Sequence, residues 1–131
     1  MARPTVFVVD DDTSVRTGLR RLLVSLRHPV RGFASAEQFI AGTDGNMRGC
    51  LIMDVRLPGM SGLELQQKIA EQGSMLPIIF ITAQDDSATR EAALRHGAAD
   101  YLPKPFSGDR LLASVRRALK SGGPEQGQPD E

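Results

Sequence analysis

The sequence predicts an α/β doubly wound domain, a parallel sheet of five strands with helices on both faces. Short β-branched runs alternate along the chain with stretches of helical periodicity. Each helical stretch opens on a capping residue, and connections of that kind make successive strands parallel. The residues directly after the runs are carboxylates, a hydroxyl and an ammonium, in the place where open α/β sheets bind ligands. A chain of 131 residues, 40% of them hydrophobic, fills one such domain and leaves little for a second.

The first strand is Thr5 to Val9. Behind the aspartates that follow it, Val15, Leu19, Leu22, Leu23 and Leu26 share one helical face, with Asp12 or Thr13 as N-cap. Val30 to Phe33 forms a weaker second strand, and Ser35 with Gln38 makes a capping box for a short helix ending near Gly42. Cys50 to Met53 is too short and too apolar for a helix and reads as a buried central strand closed by Asp54. Ser61 and Glu64 form a second capping box, Leu65 and Ile69 face inward, and Gly73 stops that helix. Pro77 opens the strand Ile78 to Ile81. Asp85 or Asp86 caps a helix running to about His96 and ended by Gly97, a short strand surrounds Tyr101 and Leu102, and a last helix follows Ser107. Its inner face carries Leu111 or Leu112, Val115 and Leu119.

Composition removes several classes of function. Sixteen basic residues balance sixteen acidic ones, so bulk charge gives no reason for non-specific nucleic-acid or membrane binding. The single Cys50 forms no internal disulfide, and with only His28 and His96 beside it a structural zinc site lacks ligands. No apolar run approaches the roughly 18 residues of a membrane span, and the N-terminus does not read as a signal peptide. A cytoplasmic setting is expected. Ser121 to Glu131 contains no apolar side chain and reads as a flexible tail or the start of a linker.

The chemistry gathers at the strand ends. Asp10, Asp11 and Asp12 follow the first strand, Asp54 the third, Thr82 the fourth, and Lys104 the fifth. Three negative charges on Asp10, Asp11 and Asp54 against one positive charge on Lys104 call for a divalent cation. Oxygen donors without His or Cys select a hard ion, and Mg²⁺ suits a site that leaves positions for water and phosphate oxygens. Asp12 serves better as a helix cap. Beside Mg²⁺ and Lys104, Asp54 can attack a phosphoryl group while Thr82 donates a hydrogen bond, giving an acyl phosphate.

From Thr5 to about Leu119 the chain resembles the receiver domain of two-component response regulators. The resemblance rests on Val8-Val9-Asp10-Asp11-Asp12, on Met53-Asp54-Val55-Arg56-Leu57-Pro58-Gly59-Met60-Ser61-Gly62-Leu63-Glu64, on Ile81-Thr82-Ala83 and on Tyr101-Leu102-Pro103-Lys104-Pro105-Phe106. It implies a flavodoxin-like sheet of order 2-1-3-4-5, with residues 1–120 as the domain and 121–131 as tail or linker. It also implies that Asp54 accepts phosphate from a sensor histidine kinase. Asp10, Asp11, Asp54 and the Arg56 carbonyl are then the Mg²⁺ ligands, Thr82 and Tyr101 a switch pair, and Lys104-Pro105 a cis peptide. Arg56 and Gln84 border the phosphoryl site. The wording of the central motif is most similar to regulators of the nitrogen-fixation type, which implies transcriptional output. DNA contact is expected only through a further C-terminal domain.

On this reading phosphorylation alters the surface of the fourth helix, fifth strand and fifth helix. There Arg90, Arg95, Asp100, Arg110 and Arg116 offer charges for a homodimer contact. The alternatives are a single-domain regulator acting by protein contact and a Mg²⁺-dependent phosphohydrolase that forms an aspartyl phosphate. The hydrolase reading lacks a second acid two residues after the nucleophile, where Arg56 stands. No GxGxxG or Walker A sequence supports a nucleotide-binding module.

Overall fold

The structure, a computed structural model, describes residues 4–44 and 47–121. Five strands, β1 (Thr5–Val9), β2 (Val30–Phe33), β3 (Gly49–Asp54), β4 (Ile78–Thr82) and β5 (Asp100–Pro103), form one parallel sheet. Their order is β2-β1-β3-β4-β5. The helices are α1 (Thr13–Leu23), α2 (Ala36–Gly42), α3 (Gly62–Glu71), α4 (Ser87–Arg95) and α5 (Gly108–Ser121). The predicted fold class and strand order are therefore observed.

Alternation along each strand divides the apolar side chains into two cores. Val6, Val8, Cys50, Ile52, Ile79, Ile81 and Leu102 pack with α1 and α5 through Leu19, Leu23, Leu111 and Val115. Phe7, Val9, Leu51, Met53, Ile78, Phe80 and Tyr101 pack on the opposite face with α2, α3 and α4 through Phe39, Leu65, Ile69 and Ala93. Near-continuous apolar runs follow from coverage on both faces, and β4 is buried along its whole length. On the second face Phe39 lies between Phe7 and Phe33 in two edge-to-face contacts with centroids 5.5 and 5.4 Å apart.

The caps explain where the helices start. Asp12 accepts from the Ser14 N–H, Asp86 from the Ala88 N–H, and Ser61 with Glu64 forms the reciprocal box. The predicted box of Ser35 with Gln38 is corrected. Ser35 accepts from the Gln38 N–H at 3.1 Å, but Gln38 Oε1 accepts from Ala34 at 3.0 Å rather than from Ser35. The Ala34 N–H lies just past the end of β2, where the strand ladder no longer supplies a partner.

Two further expectations shift. Leu26 is not on the regular face of α1: the helix ends at Leu23, Val24–Leu26 form a 3-10 turn, and Arg27 is left-handed at φ 60°. Leu26 still reaches the α1/α5 core from this tighter turn. In α5 the buried apolar positions are Leu111, Val115 and Ala118, while Leu112 and Leu119 flank them half-buried. Of the expected tail, residues 121–131, Ser121 instead closes α5, and 122–131 lie outside the described residues.

Two glycines give opposite expectations. At Gly49, φ is 127° and a Cβ would lie 1.8 Å from the Thr5 carbonyl oxygen. Gly49→Ala should therefore cost at least about 3 kcal/mol. Gly18 is exposed within α1, with nothing within 4 Å of an added Cβ. Gly18→Ala should stabilise by about 1 kcal/mol. Denaturant unfolding of both variants checks the pair, and a neutral Gly49→Ala would contradict the close approach of β1 and β3.

Candidate functional site

Strand register assembles the site before any side-chain contact is considered. Val9 pairs with Met53, Asp54 with Ile81, and Thr82 with Pro103. One step beyond each pairing, Asp10, Asp54, Thr82 and Lys104 fall along a single carboxyl edge. By the strand alternation, Asp10, Asp54 and Lys104 continue the rows that face α1 and α5. Thr82 and Tyr101 continue the rows that face α4.

The two carboxylates are held in the same way. Asp10 Oδ1 accepts from the Asp12 N–H at 2.9 Å, and Asp54 Oδ1 accepts from the Arg56 N–H at 2.9 Å. Each therefore has one oxygen pinned by backbone and one turned toward Lys104, whose Nζ is 3.8 Å from Asp10 Oδ2 and 3.8 Å from Asp54 Oδ2. Asp10 is 1% exposed, and its Oδ2 has no hydrogen-bond partner among the described residues. Burial raises the Asp10 carboxyl above the ordinary aspartate value of 3.8. The neighbouring Asp54 and Asp11 charges push the same way, while the Asp12 amide and Lys104 oppose them.

Asp11 is exposed and completes a group with Asp10 and Asp54 in which one carboxylate oxygen from each lies within 4.8 Å of the others. Opposite ligands of an octahedral Mg²⁺ stand about 4.2 Å apart. The oxygen-only donor set and the unpartnered, buried Asp10 Oδ2 both fit such an ion. Asp12 lies apart as the α1 cap, as expected. Arg16, which the spacing did not single out, donates from Nη1 to the Asp10 carbonyl at 2.6 Å and steadies the β1–α1 turn.

Thr82 is buried, and its hydroxyl donates to the Gln84 carbonyl at 2.9 Å while accepting from the Gln84 N–H at 3.1 Å. Gln84 and Arg56 are both exposed beside the carboxyl edge. Tyr101 lies inward at 4% exposure, with Arg90 Cζ 5.1 Å from its ring centroid. Arg90 also bonds Asp85 at 2.8 Å, so the β4–α4 loop, α4 and the tyrosine ring are joined by one guanidinium. Burial raises the Tyr101 phenol pKa, and Asp85 adds to the shift. Lys104-Pro105 is a cis peptide bond, as the motif implied.

The expected surface charges are only partly placed as predicted. Asp100 accepts from Ser114 Oγ at 2.8 Å and pairs with Arg117 at 3.3 Å and Arg110 at 3.9 Å. Arg116 lines instead a groove of about 490 Å³ with Pro4, Leu26, His28 and Leu119, beside the 3-10 turn. Adjacent positions on a helix diverge by 100°, so Arg117 reaches Asp100 and Arg116 does not. Sequence reading also missed Glu37, whose Oε2 accepts from the Met60 N–H at 2.8 Å across 23 residues. No spacing rule signals a contact between the first turn of α2 and a turn so far along the chain.

Comparison with known proteins identifies the family and the fold. Residues 6–116 match the response regulator receiver domain, and the chain belongs to that family. It is 45% identical over 115 residues to the transcriptional regulatory protein TdiR of Thauera aromatica, covering 88% of this chain and 51% of TdiR. Nodulation protein W of Bradyrhizobium diazoefficiens is 43% identical over 115 residues, with 88% and 51% covered. Among solved structures, the response regulator StyR superposes with a TM-score of 0.86 at 45% identity, over 92% of this chain and 61% of StyR. Full-length FixJ from B. japonicum gives 0.84 at 35% identity, over 95% and 61%. The chain spans about half the length of these curated relatives. Receiver domains are regulatory modules of two-component signalling rather than enzymes in the ordinary sense. No helix among the described residues is long and apolar enough to cross a membrane.

The raised Asp10 pKa fixes the sign of a pH effect. Folding favours the neutral carboxyl, so the stability gained from its protonation is full below the unfolded value near 3.8 and is lost as pH rises through the folded value. In chelated buffer, Asp10→Asn should melt higher than wild type at pH 7. The gap should close as pH falls toward 4, where aspartate in the unfolded chain protonates. A gap that widens on acidification would contradict the burial argument.

Proposed function

We propose that this domain is a phosphorylation switch in which Asp54 accepts a phosphoryl group from a sensor histidine kinase in a Mg²⁺-dependent reaction. The observation that carries the reading is the matched pair of free oxygens, Asp10 Oδ2 and Asp54 Oδ2, each 3.8 Å from Lys104 Nζ. Asp10, Asp11, Asp54 and the Arg56 carbonyl would hold Mg²⁺. The ion supplies charge neutralisation on phosphoryl oxygens when bound. Asp54 Oδ2, the oxygen not held by the Arg56 amide, attacks phosphorus. The P–N bond to the kinase histidine breaks, and the imidazole leaves with its electron pair and takes up a proton. Lys104 offsets negative charge on the transferred group, and the Thr82 hydroxyl exchanges its Gln84 partner for a phosphoryl oxygen.

That exchange is the proposed link to output. A turned Thr82 favours the inward Tyr101 over any outward alternative, and only such a difference in affinity shifts the population. Arg90 rides on the same ring, so the α4–β5–α5 surface responds. A phosphorylation-dependent homodimer through that surface then drives an effector, with transcription as the output suggested by the relative TdiR, a transcriptional regulatory protein. Residues 1–120 form the receiver and 121–131 lead toward a linker in a cytoplasmic regulator. A single-domain regulator acting by protein contact would use the same switch.

Mass spectrometry after incubation with acetyl phosphate should show one added phosphoryl group at Asp54, lost on chelation and in Asp54→Asn. Lys104→Ala should retain its fold, being on a partly exposed edge, and lose labelling by at least about tenfold. Equal labelling without metal, or labelling of Asp54→Asn, would overturn the assignment.

Beryllium fluoride should shift the sedimentation coefficient of the full chain toward a dimer at micromolar concentration. The shift should weaken in Tyr101→Ala. A monomer at every concentration would remove self-association from the switch.

A further inference from the structure

The turn after Asp54 is held from outside by a residue that carries none of the site's chemistry. Val55 and Leu57 are buried and anchor its first half, and the Gly62 N–H closes the second half on the Val55 carbonyl at 2.9 Å. Between them, Gly59 and Met60 meet the first turn of α2. There the Met60 N–H donates to Glu37 Oε2 at 2.8 Å. The start of the turn is tied to β4 by the Val55 N–H on the Ile81 carbonyl at 3.1 Å, and among the described residues the Glu37 bond is the one that ties residues 58–60 to another element. A bond from an amide to a carboxylate is charge-assisted and roughly twice as strong as a neutral one.

Gly59 is shaped to this contact. It sits at φ 74°, and a Cβ there would lie 2.7 Å from Glu37 Oε2 and 3.3 Å from Oε1. A side chain at this position would be strained by the backbone and would press on the carboxylate. The turn therefore brings bare backbone against Glu37, and the carboxylate covers it.

We propose that Glu37 is a positioning residue of the phosphoryl site, fixing the 58–60 turn through the Met60 N–H so that the Arg56 backbone keeps one orientation beside Asp54. This rests on the reading above, in which the Arg56 carbonyl is a metal ligand. The Arg56 N–H is already bonded to Asp54 Oδ1, so the peptide on the other side of Arg56 is the one left to be set by the turn. Outer hydrogen-bond partners of a metal site act in this way, by restricting the ligands rather than touching the ion. Glu37 thereby couples the position of α2 to the affinity of the acidic cluster.

The test uses the full chain with Glu37→Ala and Glu37→Gln. Calorimetric titration with Mg²⁺ should show affinity weakened on the order of tenfold in Glu37→Ala. Exchange of the Met60 amide, followed by NMR in chelated buffer, should accelerate in the same variant. Glu37→Gln keeps an oxygen acceptor for Met60 and, the bond then being a neutral one, should recover roughly half of both losses. Glu37→Ala binding Mg²⁺ as tightly as wild type overturns the proposal, as does an unchanged Met60 exchange rate. Equal losses in Glu37→Gln would assign the effect to charge and overturn it too. A wild type that takes up no Mg²⁺ removes the reading of the site itself, and this proposal with it.

Discussion

A buried carboxylate with one unsatisfied oxygen is the constraint around which this edge of the sheet is arranged. Asp10 cannot be relieved by solvent, because it lies beneath the β1–α1 turn. It cannot be relieved by Asp54, which carries the same charge. Lys104 is near both but within hydrogen-bond distance of neither, at 3.8 Å. Backbone amides satisfy the other oxygen of each acid. The remaining pair is held in place yet electrostatically incomplete, and low dielectric makes the incompleteness costly. Parallel register is what makes the arrangement repeatable, since it ends four strands on one line without long side chains reaching for each other.

The strands and helix starts were legible because their signals are local. A β-branched run between capping residues needs no knowledge of its neighbours, and Ser61 with Glu64 states its own geometry. The carboxyl-edge residues were legible for a related reason: each directly follows or ends an apolar run, so finding the runs finds them. What escaped the sequence was decided across space. Gln38 chose Ala34 over Ser35 because β2 happens to end there. Arg117 rather than Arg116 met Asp100 because of helix phase against β5, and Leu26 kept its core contact through a 3-10 turn that periodicity cannot distinguish from one more turn of α1. Glu37 gave no signal, because an exposed glutamate early in a short helix has the same local pattern whether or not a distant amide waits for it.

Family membership and geometry answer different questions here. Membership establishes a receiver domain of two-component regulators, and the relatives place such domains in longer transcriptional proteins. The geometry adds which atoms, among the described residues, meet only as loose ion pairs at 3.8 Å: one oxygen on each of two aspartates and the nitrogen of one lysine. The proposed phosphoryl transfer follows from those atoms. The proposed output depends instead on Tyr101 and Arg90, whose joint contact ties the β4–α4 loop to the ring.

The two cores on opposite faces of the sheet have a consequence for how this domain tolerates change. They share no side chains, since each residue of a strand belongs to one layer or the other. Substitutions under α1 and α5 should therefore combine with substitutions under α2, α3 and α4 almost additively in stability. The backbone of β1, β3, β4 and β5 is the common wall. A lineage of such domains is thus free to rework the contact surface on one side of the wall while the packing on the other stays as it was.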